Sequence, residues 1–281
     1  MKRYTTGPGL LVAGLATAFV AACGGGPPSP PALAYGEQTV SAAAYAYSDT
    51  TSVRVSVMGQ TMELSQHGIA EYDVVFDEAP SGVDVLLSVR SLSASLNQPM
   101  GPPVRVDESM VVGDLVFTLS RLGDPTVTRR PEVSDEASQM VSGLSLAHSF
   151  FPALPGRAAV PGESWVDSLD YSGEDGPGVR SETSVLRYTV VGDTVVGGRS
   201  LLHIEVAGTA TVSNAMVIAG MDIDQASDLD VSGYVLWDLQ AGIPFEHYRE
   251  STGTGQVRIP ISPFPLPIEV RSTQRSQLKA P

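Results

Sequence analysis

Between residues 69 and 90 apolar and polar side chains alternate with a period of two. Ala70, Tyr72, Val74 and Phe76 share one side, with Glu71, Asp73 and Asp77 on the other. Beyond Pro80-Ser81-Gly82 the pattern resumes, Val83, Val85, Leu87 and Val89 against Asp84, Ser88 and Arg90. Only an extended chain sends successive side chains to opposite faces, so each run offers one face to a core and the other to water. The Pro-Ser-Gly segment between them is a turn signal.

The same pattern continues along the chain. Val53–Val57 and Met62–Leu64 flank Met58-Gly59-Gln60, and Tyr188–Val191 and Thr194–Val196 flank Gly192-Asp193; both read as tight hairpin turns. After Gly197-Gly198, Leu202, Ile204 and Val206 line one face. Ser232–Leu239, Phe245–Ser251 and Ile268–Ser276 supply further strands. The predicted fold is mainly β: an antiparallel meander forming a curved sheet, half-barrel or barrel, with one central helix packed against it.

That helix is predicted over 133–151. Val133, Ala137, Met140, Leu144, Ala147 and Phe151 recur at three- and four-residue steps as one apolar stripe. Ser134 can cap it, Asp135 and Glu136 suit the positive end of its dipole, and Pro152 forbids continuation, while Gly143 weakens its middle. Gly113–Leu119 and Gly233–Leu239 share the pattern Gly-x-apolar-apolar-aromatic-x-Leu. Residues 35–281 are therefore either one continuous β-rich domain or two similar halves, 35–130 and 155–281, joined by the helix.

The N-terminus carries an address. Lys2 and Arg3 precede a short apolar run from Leu10 to Val20, too short to span a bilayer. The run ends in Val20-Ala21-Ala22-Cys23, which resembles a bacterial lipobox, and Cys23 is the only cysteine in the chain. The resemblance to bacterial lipoproteins implies removal of residues 1–22 and a diacylglyceryl group on Cys23. It also implies a further acyl chain such as palmitate on the new amine, and so a membrane contact through that lipid. Gly24 stands where an aspartate commonly marks retention at the inner membrane, so the resemblance implies a lipid-anchored protein of the outer membrane, facing the periplasm. Residues 23–34, including the run from Gly24 to Pro31, read as a disordered tether.

Charge narrows the partners. The 17 basic residues face 31 acidic ones, a formal net charge of −14, which repels nucleic acid and anionic headgroups. No Gly-x-Ser-x-Gly or His-Glu-x-x-His motif occurs. The four histidines (His67, His148, His203 and His247) are scattered, with His203 and His247 at polar-facing strand positions. No catalytic residue and no cofactor is predicted. The acidic run holding Asp222, Asp224, Asp228 and Asp230 puts carboxylates on one face of an extended chain, as oxygen ligands for calcium or as a solvated strand face with a turn at Gln225-Ala226-Ser227.

Two apolar, proline-rich loops complete the reading. Pro99–Val104, with Met100 and Pro102, and Pro260–Ile268, with Phe264 and Leu266, place apolar side chains where proline keeps the chain out of a sheet interior. They either plug an end of the barrel or rim a cavity and contact a ligand. With the lipobox and tether, the long meander and covering helix resemble periplasmic lipoproteins of the lipoprotein-carrier and mycobacterial lipid-carrier type. Leu154–Trp165 and Gly233–Gly242 also resemble segments of secreted bacterial lipoproteins. The resemblance implies a curved half-barrel enclosing an apolar cavity, and hence a binding module for an apolar ligand or lipid. Two alternatives stand beside it: a structural or assembly lipoprotein that binds other envelope proteins through sheet edges or loops, and, more distantly, an envelope hydrolase.

Overall fold

The computed structural model describes residues 32–57, 59–99, 101–138, 140–175, 178–218, 221–260 and 262–279. It is mainly β, a curled antiparallel sheet in the form of a half-barrel. One wing contains β1 (Ala42–Val57), β2 (Gln60–Ala79), β3 (Gly82–Asn97), β4 (Val104–Asp107), β6 (Leu115–Ser120) and β7 (Pro125–Arg129). A short ribbon of β5 (Val111–Val112) and β8 (Glu132–Val133) stands apart. The other wing runs through β9 (Ser164–Asp175), β10 (Gly178–Val196), β11 (Arg199–Ile218), β12 (Met221–Asp238), β13 (Ile243–Arg258) and β14 (Leu266–Leu278).

The order in the 12-stranded sheet is β7-β6-β3-β2-β1-β14-β13-β12-β11-β10-β9, with β4 alongside β3. The chain starts in the middle, meanders out to β7, crosses to the far edge and meanders back. First and last strands pair from Tyr45↔Leu278 to Val55↔Ile268. The predicted alternation is present: Ala70, Tyr72, Val74, Phe76, Val83, Val85 and Leu87 are buried. Ala79 and Gly82 close a two-residue turn, and Val57 pairs with Gln60 at the first hairpin.

Three sequence expectations are corrected. Gly192-Asp193 is no turn: β10 runs through it with a register shift between Val190 and Gly192, and the chain reverses at Gly197-Gly198, both at positive φ. Gln225-Ala226-Ser227 is no turn either, because β12 continues through it. The single helix over 133–151 is replaced by two short ones, α1 (Asp135–Ser138) and α2 (Gly143–Ser149). Ser142 caps α2 by accepting from the Ser145 N–H, so the backbone reads a new helix start where one helix was expected to continue. Val133 belongs to β8, and of the predicted stripe Ala137, Ala147 and Phe151 are buried.

Curling depends on glycine at particular rungs. A Cβ at Gly233 would overlap the Tyr248 carbonyl oxygen, and one at Gly253 that of Asp228. Neighbouring strands approach too closely there for any side chain.

One end of the half-barrel is sealed. Leu33, Ala34 and Tyr35 are buried, Leu33 exchanging backbone hydrogen bonds with Gly156 and Arg157, and Tyr35 donating to Arg121. The sequence places Leu33 and Ala34 in the tether; their apolar side chains instead join the core. Behind them Phe150 and Phe151 form the hub of an aromatic cluster with Tyr35, Tyr45, Tyr47, Tyr72, Phe76 and Phe117, centroids 5.0–6.5 Å apart.

Candidate functional site

Between β7 and β9 the sheet does not close by strand pairing. The segment from Ser134 to Leu154 lies in that seam, α2 packing on β6, β7 and β9. Its end drives Phe150 and Phe151 into the interior as a plug. Tyr35 and Tyr45, both buried, tie their hydroxyls to the carbonyls of Pro152 (2.8 Å) and Pro244 (2.7 Å). Trp165 Nε1 donates to Ala153 O at 3.3 Å.

Beneath the plug lies a small cavity of about 40 Å³, where His148, Asp167, Ser184, His247 and Arg249 stand among apolar walls such as Leu169 and Leu186. That is room for ordered water, not for an acyl chain. His247 Nδ1 sits 3.4 Å from the Phe150 carbonyl oxygen. Burial pushes the His247 imidazole down to about 4, against the hydrogen bond to Phe150 and reinforced by Arg249. Sequence reasoning put His247 on a polar-facing position. The bulge between Leu236 and Trp237 shifts the register, and the side chain lines the interior. His148 stacks flat on Tyr171, centroids 4.4 Å apart, and burial lowers its pKa. Its Nδ1 and the Ser149 Oγ are buried without a hydrogen-bond partner among the described residues. Asp167 is raised by burial and by Asp124.

Next to this cavity is a buried ion cluster. Glu182 lies 3.0 Å from Arg180 and 3.2 Å from Arg249, with the Tyr171 hydroxyl at 3.4 Å. Burial opposes the Glu182 charge, but Arg249 and Arg180 outweigh it and hold the carboxyl below its usual range. His247, Asp167 and Ser184 line one cavity, and among the described residues no hydrogen bond joins the histidine to either. His203 lies elsewhere, edge-on to Tyr234 at 5.9 Å.

The predicted site residues are dispersed. Cys23 and Met100 fall outside the described residues. Pro102 is exposed between β3 and β4, Phe264 is 73% exposed between β13 and β14, and Leu266 is half-buried at the start of β14. Both loops emerge at the end away from Leu33, but β1 and β2 separate β3 from β14 in the sheet. A cleft of about 370 Å³ at that end has a mixed lining, with Ser181, Asn214, Gln256 and Arg258 beside Val179, Ala215 and Pro265. Asp222, Asp224, Asp228 and Asp230 do share one face of β12, pairing with Val217, Ala215, Thr211 and Thr209 of β11. They are strung out at two- and four-residue steps, and the Thr211 hydroxyl donates to Asp228 at 2.8 Å. Among the described residues no group of three or more His, Cys, Asp or Glu is arranged to hold a metal.

No family model and no curated protein matches the chain. Among solved structures it is similar to the β domain of the Bordetella autotransporter Brka, at 8% identity over 85% of this chain and 99% of that one, with a TM-score of 0.24. It is also similar to a BenF-like porin from Pseudomonas fluorescens (8% identity, 85% and 99% covered, TM-score 0.22) and to Pseudomonas aeruginosa OpdQ (9%, 85% and 97%, TM-score 0.20). At such TM-scores the likeness carries no argument about this chain.

Proposed function

We propose that this is a cell-envelope lipoprotein, anchored in the outer membrane through lipid on Cys23 and facing the periplasm, whose exposed loops bind other envelope proteins. The observation that carries this reading is the contrast between a plugged interior and an apolar side chain left exposed at the far end. The aromatic plug leaves a cavity of about 40 Å³, while Phe264 is 73% exposed in the loop between β13 and β14. An exposed apolar loop is a contact surface for another protein. Crosslinking in living cells tests it: discrete protein adducts are expected, and their absence overturns the reading.

Binding of an apolar ligand is the second reading. Its support is that the plug belongs to a segment of short helices and not to the sheet, so its displacement would open an apolar interior. Native mass spectrometry of the protein extracted from its own membrane is the check. A bound lipid mass supports this reading, and unliganded protein alone sinks it.

A further inference from the structure

At the end of the sheet that holds the Phe264 loop, two successive rungs across β10–β13 present their side chains on the outward face. The register sets Ser181, Ser213, Ala226 and Gln256 side by side, with Val179, Ala215, Asp224 and Arg258 in the next rung. Their chain neighbours Glu182, Val212 and Ser227 are buried on the other face, as period-two alternation requires. Side-chain size then shapes a trough. Ser213, Ala215 and Ala226 keep its floor low, Val179 stands on one side, and Gln256 and Arg258 stand with Pro265 on the other. The hollow is the cleft of about 370 Å³, inside the roughly 300–1,000 Å³ range of small-ligand sites. The loop that supplies Pro265 is tied by its own bonds: the Ser262 hydroxyl donates to the Phe264 carbonyl oxygen at 2.6 Å, and the Ser262 N–H to that of Ile259 at 3.1 Å.

The polar groups here are uncommitted. Asp224 and Arg258 occupy directly opposed positions of β12 and β13, yet among the described residues neither makes an ion pair. Ser213 and Gln256 likewise have no side-chain hydrogen bond among the described residues, whereas one rung further along Thr211 is bonded to Asp228. One guanidinium offsets one carboxylate, so the cleft favours an occupant without net charge. The serine hydroxyls and the Gln256 amide both donate and accept, which matches the hydroxyls of a sugar. Ala215, Ala226 and Pro265 offer apolar surface to the C–H face of a pyranose ring. An acyl chain would strand the polar groups, and a single carboxylate is too few for a calcium ion. We infer that this cleft binds a short, uncharged saccharide, with Ser213, Gln256, Asp224 and Arg258 bonding its hydroxyls. The inference goes beyond the assembly reading and does not rest on it.

Titration of the full-length protein, in a zwitterionic detergent free of sugar, with cellobiose, N,N′-diacetylchitobiose and glucose 6-phosphate tests it. Saturable binding of at least one disaccharide is expected, with amide shifts centred on residues 179–181, 213–215, 224–226 and 256–258. Ala226→Trp fills the floor and Gln256→Ala/Arg258→Ala removes one wall, both at exposed positions. Each should weaken binding about tenfold or more with an unchanged melting curve. Thr209→Trp, exposed on the same face further along β11, should leave binding intact. No saturable binding of either disaccharide overturns the inference, and so does equal binding by the Ala226→Trp protein. Binding of glucose 6-phosphate alone reduces the site to anion capture by Arg258 and also overturns it. Sedimentation with isolated cell-wall sacculi, reversed by the disaccharide, assigns the saccharide to wall glycan; disaccharide binding without sedimentation assigns it to a soluble sugar.

Discussion

Phe150 carries more of this fold than its place in the sequence suggests. It lies outside the helical stripe, yet its ring meets Tyr45, Tyr47, Tyr72 and Phe151. Phe150→Ala should cost about 3–5 kcal/mol, because the cavity it leaves is walled by rings fixed on β1, on β2 and at Phe151. Phe264→Ala, at a 73% exposed position, should change stability by less than about 0.5 kcal/mol. Urea unfolding of the two variants measures the contrast. His247 sets a pH dependence. It is held neutral in the fold, with a pKa of about 4 against an ordinary 6.5. Its contribution is therefore complete above pH 6.5 and is lost as pH falls from there toward 4, where the unfolded chain takes up a proton that the fold excludes. His148 is shifted in the same direction. His247→Gln should flatten that part of the stability profile, as melting temperature against pH will show. Neither role was legible in the sequence, since a side chain's neighbours across a curled sheet are set by register and not by spacing.

At the scale of elements, strands were readable and their interruptions were not. Period-two alternation marked β2 and β3 because each has one buried face, and a one-residue slip would turn every core side chain to water. Gly192-Asp193 carries the dipeptide chemistry of a turn, but β10 and β11 pair on both sides of it and the bulge absorbs the extra residue. The helical stripe over 133–151 was real in part; Ser142 and Gly143 divide it. Gly143→Ala should stabilise α2 by about 0.5–1 kcal/mol, since a Cβ there meets Leu115 and Pro131 only at ordinary contact distance. Gly253→Ala should instead destabilise by about 1–3 kcal/mol or prevent folding, because its Cβ would overlap the Asp228 carbonyl oxygen of the neighbouring strand. Thermal melts of the two alanine variants should move in opposite directions.

The whole molecule is held together at its centre by its two terminal strands. β14 lies between β1 and β13, so a chain cut after Arg258 loses the link between the wings. No cooperative unfolding transition is expected from it by circular dichroism, whereas removal of the residues before Ala32 should leave the transition intact. Leu33 enters at the sealed end, opposite the loops that hold Pro102 and Phe264, so under the proposed lipid anchor on Cys23 those loops are the part of the domain free to meet partners. Cys23→Ser should release the folded protein into the soluble fraction, and its retention in membranes would show that the domain binds lipid directly. By itself the sequence determined the strand-rich class, the inward faces of β2, β3 and β11, and the acidic surface, because these follow from local period and composition. The tertiary structure alone decided that Phe150 and Phe151 plug the interior, that His247 stands behind them, and that β9 pairs on one side only. Each of these depends on which distant segments meet when a long sheet curls, and local spacing carries no record of that.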